Sequence, residues 1–162
     1  EFDGVSNALL TKWLLKKLLE DQTLHSELKE KQTSGAFFNM GDYRKTFEQP
    51  PFLASTRCVT VNRLNLVLQP FQPPPQSEQS LGWWGAFTSL KHDRIATFVK
   101  SATMLNALNG LAALLLANLF FRSDGVAVEF PGLEPSRLFS MKFLLVNARE
   151  MGVGKTTYKI KT

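Results

Sequence analysis

The sequence predicts a mainly α-helical domain, a helical bundle around one buried apolar helix, with a minor β component, so α+β overall. Three observations predict this class. Apolar residues recur at three- and four-residue steps over residues 6–31 and again over 81–121. Shorter stretches within 57–68 and 125–161 alternate with a two-residue period instead. The chain has 162 residues, 44% of them hydrophobic and 11% aromatic, which is enough for a single core. One domain spanning 1–162 is therefore expected. No internal repeat breaks it up.

The first helix is expected over residues 6–31. Leu9, Leu10, Trp13, Leu14, Leu18 and Leu28 form its apolar stripe, with Lys12, Lys16 and Lys17 between them. Ser6 or Asn7 is suited to cap its start. Such a helix packs its Leu/Trp stripe on the core; the competing reading is a basic amphipathic helix on a membrane or a partner. Residues 32–56 carry Gly35, Gly41, Pro50 and Pro51 and read as a loop with room for a short turn of helix. Residues 57–68 read as strand, with Val59 and Val61 in one phase and Leu64, Leu66 and Leu68 in the other. The phase change near Arg63 suggests a bulge. Gln69 to Gln76 contains four prolines and forms a stiff extended connector.

Residues 81–121 are the helical heart. Ile95, Phe98, Ala102, Leu105, Ala112, Leu116 and Leu119 define one seam, which also holds Asn109. Met104, Leu108, Leu111 and Leu115 cover a second face. A helix apolar nearly all round is buried in protein or lipid. Ala102 to Phe121 has the roughly 20 residues that span a bilayer. Asn106, Asn109, Asn118 and Gly110 within it favour a soluble core helix, with the asparagines as buried, hydrogen-bonded groups. Beyond it, Val126 to Phe130, Leu138 to Val146 and Tyr158 to Lys161 read as strands.

Composition narrows the function. Lysine and arginine exceed aspartate and glutamate by 19 to 14, giving a net charge of +5, which suits anionic partners such as RNA or acidic lipid. The single Cys58 excludes an internal disulfide and a cysteine-based zinc site. It fits a reducing compartment, so the expected location is cytoplasmic. His25 and His92 have no metal-ligand spacing; neither a metal nor another cofactor is expected. No basic-then-apolar signal segment opens the chain. It starts at Glu1 without methionine, which suggests processing or a fragment of a longer protein.

The densest chemistry lies at Gly82 to Arg94, where Trp83, Trp84, Phe87, Thr88, Lys91, His92 and Arg94 fall within one short run. On a continuous helix Trp84, Thr88 and His92 form one line, and Phe87, Lys91 and Arg94 another. His92 and Arg94 then diverge by about 200°, and they serve one anion only if the helix ends or bends near Asp93. Lys91 and Arg94 suit phosphate through charge-assisted hydrogen bonds. His92 suits general acid–base work toward a ribose hydroxyl, and Trp83 or Trp84 suits base stacking. The bland alternative is a solvated turn, with Asp93 paired to a neighbouring cation and the tryptophans in the core.

Gly152-Val153-Gly154-Lys155-Thr156-Thr157 looks like the end of a phosphate-binding loop. The pattern requires a glycine where this chain has Arg149, and a following helix where this chain reads as strand. No nucleotide cofactor is expected.

The run Trp83-Trp84, Phe87-Thr88 and Lys91-His92-Asp93-Arg94, with Asn106 to Leu114 after it, resembles bacterial proteins bearing a Trp-Trp-x-x-Tyr-Asn-x-x-Lys-His-x-Arg signature. These have a Pro-Phe stretch like Pro70-Phe71. The group is similar to HEPN-type helical domains, many of which are ribonucleases or RNA-binding parts of toxin and phage-defence systems. The resemblance covers about residues 66–121, with a faint match at Ser136 to Phe139. Phe87 and Thr88 replace the Tyr and Asn of the signature. Arg94 follows His92, whereas the HEPN nuclease motif places arginine first.

Three expectations follow. The first is an RNA-directed domain, a metal-independent ribonuclease in its strongest form. There His92 is the acid–base group, Arg94 and Lys91 hold phosphate, Thr88 orients His92, and Trp83 and Trp84 line the site. The second is a non-catalytic helical interaction module, in which Trp83, Trp84 and the seam around Asn109 form a homodimer or partner surface. The third is a membrane-associated protein using residues 102–121.

Overall fold

A computed structural model describes residues 2–16, 19–50, 52–73, 81–122, 127–131, 138–141, 144–147 and 155–160. The fold is mainly α with a minor β component, as the sequence predicts. The helix expected over 6–31 is two helices, α1 (Phe2–Lys16) and α2 (Gln22–Thr33). Asp21 makes the second start: its carboxylate accepts from the backbone N–H of Thr23 at 2.9 Å and of Leu24 at 3.0 Å. Because α1 begins at Phe2, Ser6 lies inside the helix and does not cap it. Ser6 is fully buried, and its hydroxyl has no hydrogen-bond partner. The predicted stripe holds: Leu9, Leu10, Trp13, Leu14 and Leu28 are buried. Leu18 lies outside the described residues.

The segment read as a loop contains α3 (Met40–Phe47). Asn39 and Asp42 form a reciprocal capping box: Asp42 N–H donates to Asn39 Oδ1 at 3.1 Å, and Asn39 N–H to Asp42 Oδ2 at 2.8 Å. Lys31 from α2 donates to the same carboxylate at 2.7 Å, tying the two helices together. Burial and the charges of Asp3 and Asp42 push the Tyr43 phenol up from its ordinary pKa.

The phase change near Arg63 is a hairpin turn and not a bulge. β1 (Val59–Val61) and β2 (Leu66–Leu68) pair antiparallel, Val61 opposite Leu66, with Asn65 at φ 50° in the connecting turn. β4 (Phe139–Ser140) adds to the other edge of β1. A second sheet has the order β3 (Ala127–Pro131), β6 (Lys155–Ile160), β5 (Leu144–Asn147), all antiparallel. Lys155, Thr156 and Thr157 therefore lie on a strand, where a phosphate-binding loop would open a helix. Gly152 to Gly154 and Arg149, like Pro74 to Gln76 of the proline connector and Ser136 and Arg137 of the faint match, lie outside the described residues.

The 81–121 segment is three helices: α4 (Gly82–His92), α5 (Arg94–Ser101) and α6 (Met104–Arg122). α6 packs along α1 and against α4. Lys12 on α1 donates to the Phe121 carbonyl at 2.7 Å and sits over the Phe121 ring, so a cation meets the negative end of α6. Aromatic rings fill the centre. Trp13 stacks on Phe52 at 4.6 Å, Phe52 meets Phe120 at 4.4 Å, and Phe47 meets Phe71 edge-on at 5.2 Å. The expected seam divides: Ala112, Leu116 and Leu119 are buried, whereas Ile95, Phe98, Ala102 and Leu105 are exposed. α6 is long and apolar enough to cross a membrane by length and composition, with 39% of Met104–Phe121 buried in this fold.

Candidate functional site

Asp93 produces the helix break at the predicted site. Its backbone, at φ −142° and ψ 80°, is non-helical; its N–H closes α4 on Ser89 O at 2.8 Å. Its carboxylate then caps α5 by accepting from Ala96 N–H at 3.1 Å, and its carbonyl accepts from the Thr97 hydroxyl. The bland expectation of an Asp93 ion pair is thus replaced by a cap. Asp93 is also the only acid between Gly82 and Arg122.

Lys91, His92 and Arg94 flank this break and are all exposed. Among the described residues none of the three has a hydrogen-bond or ion-pair partner through its side chain. α4 ends at His92 and α5 begins at Arg94, so the continuous helix on which the two residues would diverge is not formed. Thr88 is half-buried one turn before His92 and makes no hydrogen bond to it.

The tryptophans face elsewhere. Trp83 is buried; its indole N–H donates to the Pro70 carbonyl at 2.7 Å, and its ring meets Phe2 edge-on at 5.2 Å. Trp84 is half-buried and lines an open groove of about 750 Å³ with Phe87, Leu90, Met104, Ala107 and Gly110. That groove is apolar and does not include Lys91, His92 or Arg94 in its lining. The structure therefore places Lys91, His92 and Arg94 at one helix junction and the two tryptophans along a groove that also takes in Phe87 and Leu90.

The groove exists because α5 and α6 are separate helices. Thr103 starts α6 by accepting from Asn106 N–H at 3.2 Å, and Asn106 Nδ2 returns a bond to Ser101 O at 2.9 Å. The other two asparagines bond within α6, Asn109 to Leu105 O and Asn118 to Leu114 O, and make no hydrogen bond between helices among the described residues; all three asparagines are half-buried and not buried as expected. Threonine before an apolar run was the sequence signal for this second break.

The feature that sequence reasoning missed is the outward face of α5. Ile95 is 96% and Val99 92% exposed, with Phe98, Met104 and Leu105 beside them in the chain and also exposed. Among the described residues no cluster of three histidine, cysteine or acidic side chains has metal-binding proximity. No protein family, curated protein or solved structure matches this chain.

Proposed function

We propose that this chain is a non-catalytic helical docking module that engages its partner through the exposed face of α5 and the first turn of α6. One observation carries this reading: the large aliphatic side chains of Ile95 and Val99 stand in solvent on a regular, capped helix, with Met104 exposed at the start of α6. A soluble domain that uses this helix only for its core would turn those residues inward. The test is binding of an environment-sensitive apolar dye. Wild type is expected to bind it about ten-fold more than an Ile95→Asp/Val99→Asp variant, since two charges remove the apolar patch. Equal dye binding by the two proteins overturns the reading.

A second reading has its own support, the exposed and unpaired Lys91, His92 and Arg94. Here the junction is RNA-directed, of the HEPN type. Lys91 and Arg94 hold phosphate, His92 is the acid–base group, Thr88 orients it after a rotamer change, and Trp84 offers a stacking face at the groove. In the same set of measurements, RNA retained by wild type and released by Lys91→Glu/Arg94→Glu supports it. RNA cleavage in chelator that disappears in His92→Ala supports its catalytic form; equal, negligible cleavage by both removes that form.

A further inference from the structure

α5 is amphipathic with its polar side turned to the protein. At about 100° per residue, Phe98, Ile95 and Val99 occupy one arc of about 100°. Arg94 borders that arc on one side and Ala96 on the other; Thr97 and Lys100 each lie about 150° from its centre, and Ser101 falls beside Arg94. Ser101 is buried and Thr97 half-buried, whereas Ile95, Phe98 and Val99 are exposed, so the aliphatic arc faces outward. Met104 and Leu105, at the start of α6, are exposed as well. Every charged residue from Lys91 to Lys100 other than Asp93 is a cation or a histidine, and the Asp93 carboxylate is engaged as the α5 cap.

We infer that this face rests on an anionic lipid bilayer, with Ile95, Phe98, Val99 and Met104 entering the boundary between headgroups and acyl chains. Lys91, Arg94 and Lys100 meet the lipid phosphates. The inference rests on the docking reading and names its partner. Charge and chemistry select that partner. A second copy packed antiparallel about a two-fold axis would bring the Arg94 border of one helix against the Arg94 border of the other. RNA would match the cations and can stack on Phe98, but it offers nothing to Ile95, Val99 and Met104, the most exposed side chains of the face, which have no π-face. An anionic bilayer supplies both halves at once, apolar depth for the aliphatic arc and negative headgroups for its border. The long stems of Arg94 and Lys100 allow the heads to stay at the phosphate level while the helix lies flat. This differs from a span by α6, whose Ala112, Leu116 and Phe120 are buried in the protein core.

The test uses the full chain and vesicles of phosphatidylcholine, alone or mixed with phosphatidylglycerol. Wild type is expected to co-sediment with the mixed vesicles about ten-fold more than with phosphatidylcholine alone. Arg94→Glu/Lys100→Glu should abolish that preference. Ile95→Asp/Val99→Asp should reduce binding to the mixed vesicles about ten-fold with an unchanged far-ultraviolet circular dichroism spectrum. A tryptophan at position 99 (Val99→Trp) should shift its emission to the blue on the same vesicles. Absence of binding to mixed vesicles, or binding that survives Ile95→Asp/Val99→Asp, overturns the inference. If vesicles fail but wild type self-associates in sedimentation velocity and Ile95→Asp/Val99→Asp does not, the lipid inference falls and the docking reading stands. If vesicles fail and the apolar dye binds wild type and that variant equally, both fall. Retention of RNA, lost in Lys91→Glu/Arg94→Glu, without vesicle binding transfers the surface to the RNA reading.

Discussion

Ser6 shows how one side chain changes meaning with its place in a helix. At a helix start its hydroxyl would satisfy a free backbone N–H; inside α1 it is buried with no partner. Ser6→Ala removes an unsatisfied polar group and replaces serine with a better helix former. The expected outcome is a gain of about 0.5–1 kcal/mol in urea unfolding. Tyr43 gives the pH counterpart. Its pKa is raised by burial and then by Asp3 and Asp42, so the folded chain holds the phenolic proton more tightly than the unfolded chain. The unfolded value is about 10. The stability from this group is complete below that value and is lost as pH rises through the higher folded pKa. Denaturant titrations of wild type at increasing alkaline pH should therefore show a loss that Tyr43→Phe reduces. Equal losses in the two proteins would contradict the assignment.

At the level of elements, boundaries are set by short polar side chains. Asp21, Asn39, Asp93 and Thr103 each accept backbone N–H groups at a helix start. The residue types were visible in the sequence, but the apolar period on either side concealed the breaks before Gln22, at Asp93 and before Met104, because an interruption of one to five residues leaves a 3.6-residue period on both sides of it. Gly110 makes a separate point inside α6. A Cβ there would meet the Trp83 ring at 3.5 Å, ordinary contact distance. Gly110→Ala is thus accommodated, and glycine inside a helix is disfavoured relative to alanine. The variant should be more stable by about 0.5–1 kcal/mol in thermal or urea unfolding. A loss of stability would mean that the groove at Trp83 has no room for a methyl group.

Across the whole molecule, the aromatic centre and the α5 face lie at opposite extremes of burial. Phe47, Phe52, Phe71 and Phe120 are essentially inaccessible, whereas Ile95 and Val99 are almost fully exposed. The Ile95→Asp/Val99→Asp variant used above should keep its unfolding free energy within about 0.5 kcal/mol of wild type, because these side chains contribute little to the packed core. A large loss would place α5 in the core. The sequence by itself determined the helical class with minor β, the α1 stripe at Leu9, Leu10, Trp13 and Leu14, the strands near Val59, Leu66 and Val128, and the helical stretch that carries Trp83 to Arg94. Those features follow from local periodicity and from residue types that report on their own neighbourhood. Only the tertiary structure decided which apolar faces are covered. An amphipathic helix has the same sequence pattern whether its apolar side meets protein or solvent. The choice depends on what packs against it, and here the α6 stripe at Ala112, Leu116 and Phe120 is buried in the protein core while the arc of Ile95, Phe98 and Val99 is not covered.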